Sequence, residues 1–137
     1  MKKLKVVIVE NDEDEQLFMR EGFEESGHFE VVAQLRNGDL LIRWLETNES
    51  SLPDIILTDL NMPGKNGYEI LNYVKGSETF RHIPVIITST SSTASIIEKC
   101  LEAGADKYLV KPDTFIEYRP YAEKLFDILR ESNMIKE

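Results

Sequence analysis

An α/β domain built on a parallel sheet with both faces covered is the fold class this sequence predicts, on three observations. Short runs rich in β-branched residues alternate with longer amphipathic segments, five of each. The strand-like runs are almost continuously apolar, as strands buried on both faces are, rather than alternating apolar and polar. No linker, internal repeat or low-complexity segment divides the 137 residues, a length that suits one domain with one core.

The elements follow in order. "KLKVVIVE" reads as a first strand, β-branched through its middle. "DEDEQLFMREGFEESG" reads as a helix, with acids crowding its first turn and Leu17, Phe18 and Phe23 as its apolar residues. "FEVVAQL" is a second strand, and "NGDLLIRWLETNE" a helix with Leu40, Leu41, Trp44 and Leu45 on one face. "PDIILTD" is a third strand, opened by Pro53 and closed by Asp59. "NGYEILNYVKG" is a short helix and "IPVIITS" a fourth strand. "STASIIEKCLEAG" is a helix ending at Gly104. "DKYLVK" is a fifth strand, and "YAEKLFDILRESN" lies in the last helix. Pro120 would break a helix begun at Thr114, so the last helix is expected to start near Arg119 with Pro120 in its first turn. Residues 113–118 then form a loop.

Composition narrows the function. Hydrophobic residues make up 42% and charged residues 30%, the balance of a soluble globular chain. A net charge of −9 leaves no surplus of Lys and Arg to displace counterions, which argues against nucleic-acid binding. No apolar run approaches the ~20 residues of a membrane span, and "MKKLKVVIVE" lacks a signal-peptide cleavage site. Cytoplasmic residence is the default expectation. Cys100 shares a helical stripe with Ile96, Ile97 and Leu101 and reads as a small buried hydrophobe. His28 and His82 flank strands and read as surface or turn residues.

The chemistry gathers at the strand ends. In an open parallel sheet the functional crevice lies beyond the carboxyl ends of the strands. The first strand ends in Glu10-Asn11-Asp12, the third in Asp59, the fourth in Ser89, and the fifth in Lys111-Pro112. Carboxylates brought together repel unless a cation relieves them, and oxygen-only ligands favour a hard cation such as Mg²⁺. A hydroxyl and an ammonium beside such a metal suit a phosphoryl group carried on Asp59. Taken singly, Glu10-Asn11-Asp12 is equally a capped helix start and Asp59 a turn residue before "NMPG". The case rests on four strands each ending in a residue that one chemistry needs.

The sequence resembles the response-regulator receiver domains of two-component signalling, from about Leu4 to Asn133. "TDLNMPGKNGYEIL" and "DKYLVKP" carry the resemblance, and the spacings from Asp59 to Ser89 and Lys111 agree with the family pattern. The resemblance implies a flavodoxin-like doubly wound (βα)5 fold, strand order 2-1-3-4-5, in a single domain over residues 1–137 with no output domain. It implies that Asp59 is the phosphoacceptor and that Lys111 and Ser89 bind the phosphoryl group. Glu10, Asn11, Asp59 and the Asn61 carbonyl would hold Mg²⁺ or Mn²⁺, with Asp12 an alternative ligand by a shift of register. Ser89 and Tyr108 are the implied switch pair, Asn61 and Ser91 the lifetime-tuning positions, and Lys111–Pro112 an expected cis bond.

The implied partners are a sensor histidine kinase or histidine phosphotransferase and a downstream protein on the face of the fourth helix, fifth strand and fifth helix. Phe115, Tyr118 and Tyr121 are candidate docking aromatics on that side, and the chain is expected to be a monomer or weak dimer. It is expected to be a signalling phosphoacceptor and not an enzyme with turnover. Asn11 departs from the pattern, which has an aspartate there. One fewer charge predicts a weaker metal site and keeps open a phosphorylation-independent interaction module. A hydrolase working through an aspartyl phosphate is disfavoured because Asn61 stands where such enzymes carry an acid–base aspartate, and no loop suits a flavin phosphate.

Overall fold

Five parallel strands form one sheet in the order β2-β1-β3-β4-β5: β1 (Leu4–Val9), β2 (Phe29–Leu35), β3 (Ile55–Asp59), β4 (Val85–Ser89) and β5 (Lys107–Val110). The coordinates are a computed structural model, and it describes residues 2–112 and 118–134. The central strands are buried along nearly their whole length, which is why their sequences are continuous apolar runs. Alternation along each strand sends Val6, Ile8, Ile55, Leu57 and Ile86 to one face and Val7, Val9, Ile56, Val85 and Ile87 to the other.

Helices α1 (Glu13–Glu25) and α5 (Tyr118–Glu131) cover the first face with Met19, Phe23, Leu125 and Leu129. Helices α2 (Gly38–Thr47), α3 (Gly67–Lys75) and α4 (Ala94–Glu102) cover the second with Leu41, Leu45, Ile70, Leu71, Val74 and Cys100. Cys100 is thus the buried hydrophobe its stripe predicts. It is also the one fully buried residue of α4, whose Leu101 is 46% exposed. α4 is therefore the most lightly seated helix.

Leu17 faces solvent, because the buried stripe of α1 runs through Met19, Gly22 and Phe23 and a residue two places before Met19 lies on the far side of the helix. Tyr118 and Tyr121 are core residues, 2% and 7% exposed, and so are not docking aromatics. Their phenol ends are spent internally: the Tyr121 hydroxyl lies 2.6 Å from Thr88 Oγ1 and donates to the Leu109 carbonyl. Phe115 lies outside the described residues. α5 starts at Tyr118 with Pro120 in its first turn, where a missing N–H costs nothing, as predicted.

Gly22 decides how α1 and α5 meet. A Cβ there would stand 2.6 Å from Tyr118 Cβ and 2.7 Å from the Arg119 nitrogen. Only glycine lets the start of α5 lie directly on α1, and this contact sets where the Tyr118 ring runs.

At the opposite end of the sheet, Lys75 closes the fold. Its ammonium reaches Asp106 Oδ2 at 2.8 Å and donates to the Ile83 and Arg81 carbonyls, while Asp106 Oδ2 also accepts the Val85 N–H.

Candidate functional site

The carboxyl ends of β1, β3, β4 and β5 converge where the sequence places them. Glu10 follows β1 directly, its N–H bonded to the Leu35 carbonyl, and is 2% exposed. Asp59 closes β3 and is 9% exposed. Ser89 closes β4 and is buried, and Lys111 continues β5 by donating its backbone N–H to the Ser89 carbonyl at 2.8 Å. The turn after Asp59 is tight because α3 begins almost on top of it. A Cβ on Gly67 would lie 3.0 Å from both the Asp59 carbonyl and Leu60 Cα, and the Gly67 N–H bonds the Leu60 carbonyl.

Lys111 is the hub. Its ammonium, on a side chain only 6% exposed, lies 2.8 Å from Glu10 Oε1, 3.0 Å from Glu15 Oε2 and 3.5 Å from Asp59 Oδ1. Glu10 Oε2 accepts the Asp12 N–H, its carbonyl accepts from Gln16 Nε2, and Asp59 Oδ1 accepts the Leu60 N–H at 2.9 Å.

Burial raises the Asp59 carboxyl above its ordinary range, although Lys111 and the Leu60 N–H pull the other way. Burial likewise raises Glu10 against the opposing pull of Lys111. For Lys111 burial acts downward, but the bond to Glu10 and the Asp59 charge outweigh it and hold the ammonium well above the usual lysine range.

The remaining predicted residues divide. Ser89 Oγ accepts the Ser91 N–H at 3.3 Å, and the half-buried Tyr108 donates its hydroxyl to the Ser91 carbonyl at 2.8 Å. The proposed switch residues are therefore linked through the loop between them. Asn11 and Asn61 lie exposed beside the carboxylates. Asp12 is the N-cap of α1: it is exposed, and its Oδ1 accepts the Glu15 N–H at 2.9 Å, which commits that oxygen to the helix start.

No described peptide bond is cis, so Lys111–Pro112 is trans, correcting the expected cis bond. Trans is the lower-energy isomer of an X–Pro bond by ~0.5–1 kcal/mol.

Among the described residues no three acidic, histidine or cysteine side chains converge as a metal centre. The donors that do meet are two buried carboxylates with amide residues at an open side. This fits a hard cation that keeps several waters and takes few protein ligands, as Mg²⁺ does.

Two residues escaped sequence reasoning. Glu15 read as one more acid at a helix start, yet it binds Lys111. Tyr118 read as a surface aromatic, yet its hydroxyl donates to Glu15 Oε2 at 3.1 Å. The one signal for Glu15 was its place a helical turn beyond Asn11.

The chain is 28% identical over 123 residues to the probable methanogenesis regulatory protein FilR2 of Methanothrix harundinacea (strain 6Ac), covering 88% of this chain and 79% of that protein. It is 48% identical over 59 residues to the two-component response regulator ARR5 of Arabidopsis thaliana, covering 43% of this chain but only 32% of that relative. In structure it is similar to the phosphorylated cyanobacterial phytochrome response regulator RcpA, with a TM-score of 0.82, 26% identity and 96% of both chains covered. The Mn²⁺-bound form of response regulator Rcp1 gives a TM-score of 0.78 at 25% identity, over 94% of this chain and 96% of that one. Residues 6–118 match the family described as the response regulator receiver domain. The chain belongs to the response regulator receiver domain family.

Proposed function

We propose that this chain, one receiver domain over residues 1–137, acts as a response regulator whose Asp59 accepts a phosphoryl group from a sensor histidine kinase or histidine phosphotransferase. The observation that carries the reading is the buried Asp59 carboxylate, 3.5 Å from an ammonium already shared with Glu10. Asp59 Oδ1 is occupied by the Leu60 N–H and faces Lys111, which leaves Oδ2 to attack phosphorus. The P–N bond of the donor phosphohistidine breaks as the O–P bond forms, and the imidazole leaves with its electron pair. Glu10, Asn11, Asp59 and the Asn61 carbonyl would hold Mg²⁺, which when bound offsets the charge gathering on the phosphoryl oxygens. Lys111 and the Ser89 hydroxyl bind those oxygens in the product.

The output follows from the same contacts. A Ser89 hydroxyl drawn to the phosphoryl group gives up the Ser91 N–H, and Ser91 carries the Tyr108 bond. The loop before the lightly seated α4 then moves with Tyr108, reshaping the α4–β5–α5 face that a downstream protein binds. Swinging the population from about 1:99 to 99:1 needs roughly 5.5 kcal/mol. Two or three charge-assisted hydrogen bonds of ~1.5–3 kcal/mol each reach that scale. Asn61 and Ser91, two residues past Asp59 and Ser89, would tune how fast water removes the group. Cytoplasmic residence as a monomer or weak dimer, acting on proteins and not on nucleic acid or membrane, completes the reading. No helix among the described residues is long and apolar enough to cross a membrane.

Intact mass after incubation with a small phosphodonor and Mg²⁺ tests the proposal. One added phosphoryl group is expected, absent from Asp59→Asn and from a metal-free control. A folded protein that gains none would favour the second reading, a phosphorylation-independent interaction module, for which Asn11 is the specific observation.

A further inference from the structure

Asn11 leaves the site one negative charge short, and the structure brings another carboxylate to the same cluster from an unexpected place. Glu15, in the first turn of α1, puts Oε2 3.0 Å from the Lys111 ammonium. Its backbone N–H is held by Asp12 Oδ1 and its carboxylate by the Tyr118 hydroxyl at 3.1 Å. Tyr118 is 2% exposed, and the close contact of Gly22 with the Tyr118 backbone fixes where its ring runs. Glu15 is thus held by α1 and α5 together, with its side chain only 20% exposed.

We infer that Glu15 is a positioning residue for the metal and phosphoryl chemistry of Asp59. It holds and neutralises Lys111, and so supplies through the lysine the charge that Asn11 does not bring. The inference rests on the metal-assisted reading of Asp59.

Glu10, Asp59 and Glu15 are three carboxylates around one ammonium, a net of two negative charges. That is the total the cluster would carry if residue 11 were an aspartate and residue 15 neutral. With Glu15 engaged, the ammonium lies nearer Glu15 and Glu10 than Asp59, and less of the Asp59 charge is spent on the lysine. That charge stays available to a cation on the open side. Tyr118 has one job here: a hydroxyl donor that keeps the Glu15 carboxylate turned toward Lys111 and away from water. The expected penalty of Asn11 for metal affinity is thereby offset from one turn further along the chain.

The test uses Glu15→Gln, which keeps an oxygen acceptor for both Tyr118 and Lys111 and removes only the charge. Mg²⁺ is titrated calorimetrically into the full chain and the variant, and thermal unfolding checks that both are folded. The ¹⁵N-labelled Lys111 ammonium resonance is followed alongside. Expected are roughly tenfold weaker Mg²⁺ binding, the scale of one unit charge lost beside an ion that water on the open side screens almost as in bulk, and faster exchange of the Lys111 ammonium protons with water. Tyr118→Phe, which leaves every charge in place, is expected to weaken Mg²⁺ binding severalfold and to speed the same exchange. It also provides the test should Glu15→Gln not fold.

Unchanged Mg²⁺ affinity in Glu15→Gln overturns the inference and leaves the reading of Asp59 standing. Weaker Mg²⁺ binding with an unaltered Lys111 resonance also overturns it, because Glu15 would then ligate the cation directly. If the unaltered chain binds no Mg²⁺ at all, the metal-assisted reading falls and this inference falls with it.

Discussion

Lys111→Met removes the ammonium and keeps much of the apolar stem, so it isolates the charge at the centre of the site. Three carboxylates then face one another: Glu10 with 2% of its side chain exposed, Asp59 with 12% and Glu15 with 20%. Breaking a buried ion pair by removing one partner costs ~3–5 kcal/mol. The lower end applies here, since this site sits at a sheet edge and water reaches the charges left behind. We expect a loss of about 3 kcal/mol at pH 8.

The sign with pH is fixed by the carboxylates. Asp59 and Glu10 already hold protons more tightly folded than unfolded, and without Lys111 they hold them more tightly still. Each group then loses stability as pH rises from its ordinary value through its raised one, at up to ~1.4 kcal/mol per pH unit. Lys111 itself contributes fully below its unfolded value of 10.5 and loses that contribution only at higher pH, so in the unaltered protein it is constant from pH 5 to 8. The deficit of the variant is therefore expected to shrink to about 1 kcal/mol at pH 5 and to narrow at pH 8 when Mg²⁺ is added. Urea unfolding at both pH values, with and without Mg²⁺, measures this. An equal deficit at both, indifferent to Mg²⁺, would refute the electrostatic account and leave stem packing as the cause.

Three further outcomes are expected. Gly22→Ala brings a Cβ to 2.6 Å from Tyr118 Cβ and should cost about 1–2 kcal/mol by urea unfolding, an overpacking penalty partly offset by the better helix propensity of alanine; a gain in stability would contradict the close contact of α1 and α5. Lys75→Met strips the donor from the Ile83 and Arg81 carbonyls and the ion pair from Asp106, and should lower stability by about 1–2 kcal/mol with Mg²⁺ affinity unchanged. Mg²⁺ binding followed from pH 8 down to pH 5 should weaken over a window above the ordinary carboxylate range, because protons compete for the raised Asp59 and Glu10; a flat profile would mean that these two groups are not the ligands.

Much of this arrangement is legible in the sequence because its cause is local. Continuous β-branched runs follow from burial on both faces, and Asp59, Ser89 and Lys111 stand at the ends of those runs whatever the helices do. Pro120 dates the start of α5 because a missing N–H is tolerated only in a first turn. Glu15 and Tyr118 were not legible, because their meeting depends on how α1 is rotated on the sheet and how closely α5 lies on it. Both are set by one glycine two turns beyond Glu15, and no periodicity announces such a contact. The exposure of Leu17 has the same origin: four apolar residues in α1 are compatible with more than one stripe, and packing chooses.

The bond between Lys111 and Glu10 spans 101 residues of sequence. It joins the end of β5, the strand at one margin of the sheet, to the end of β1 near its middle. Closing so long a loop is entropically unfavourable until the intervening strands have paired. A growing chain that has released only its first three strands therefore carries Asp59 without the lysine that completes its surroundings. The cluster around Asp59 is therefore completed late in folding, after β4 and β5 have joined the sheet.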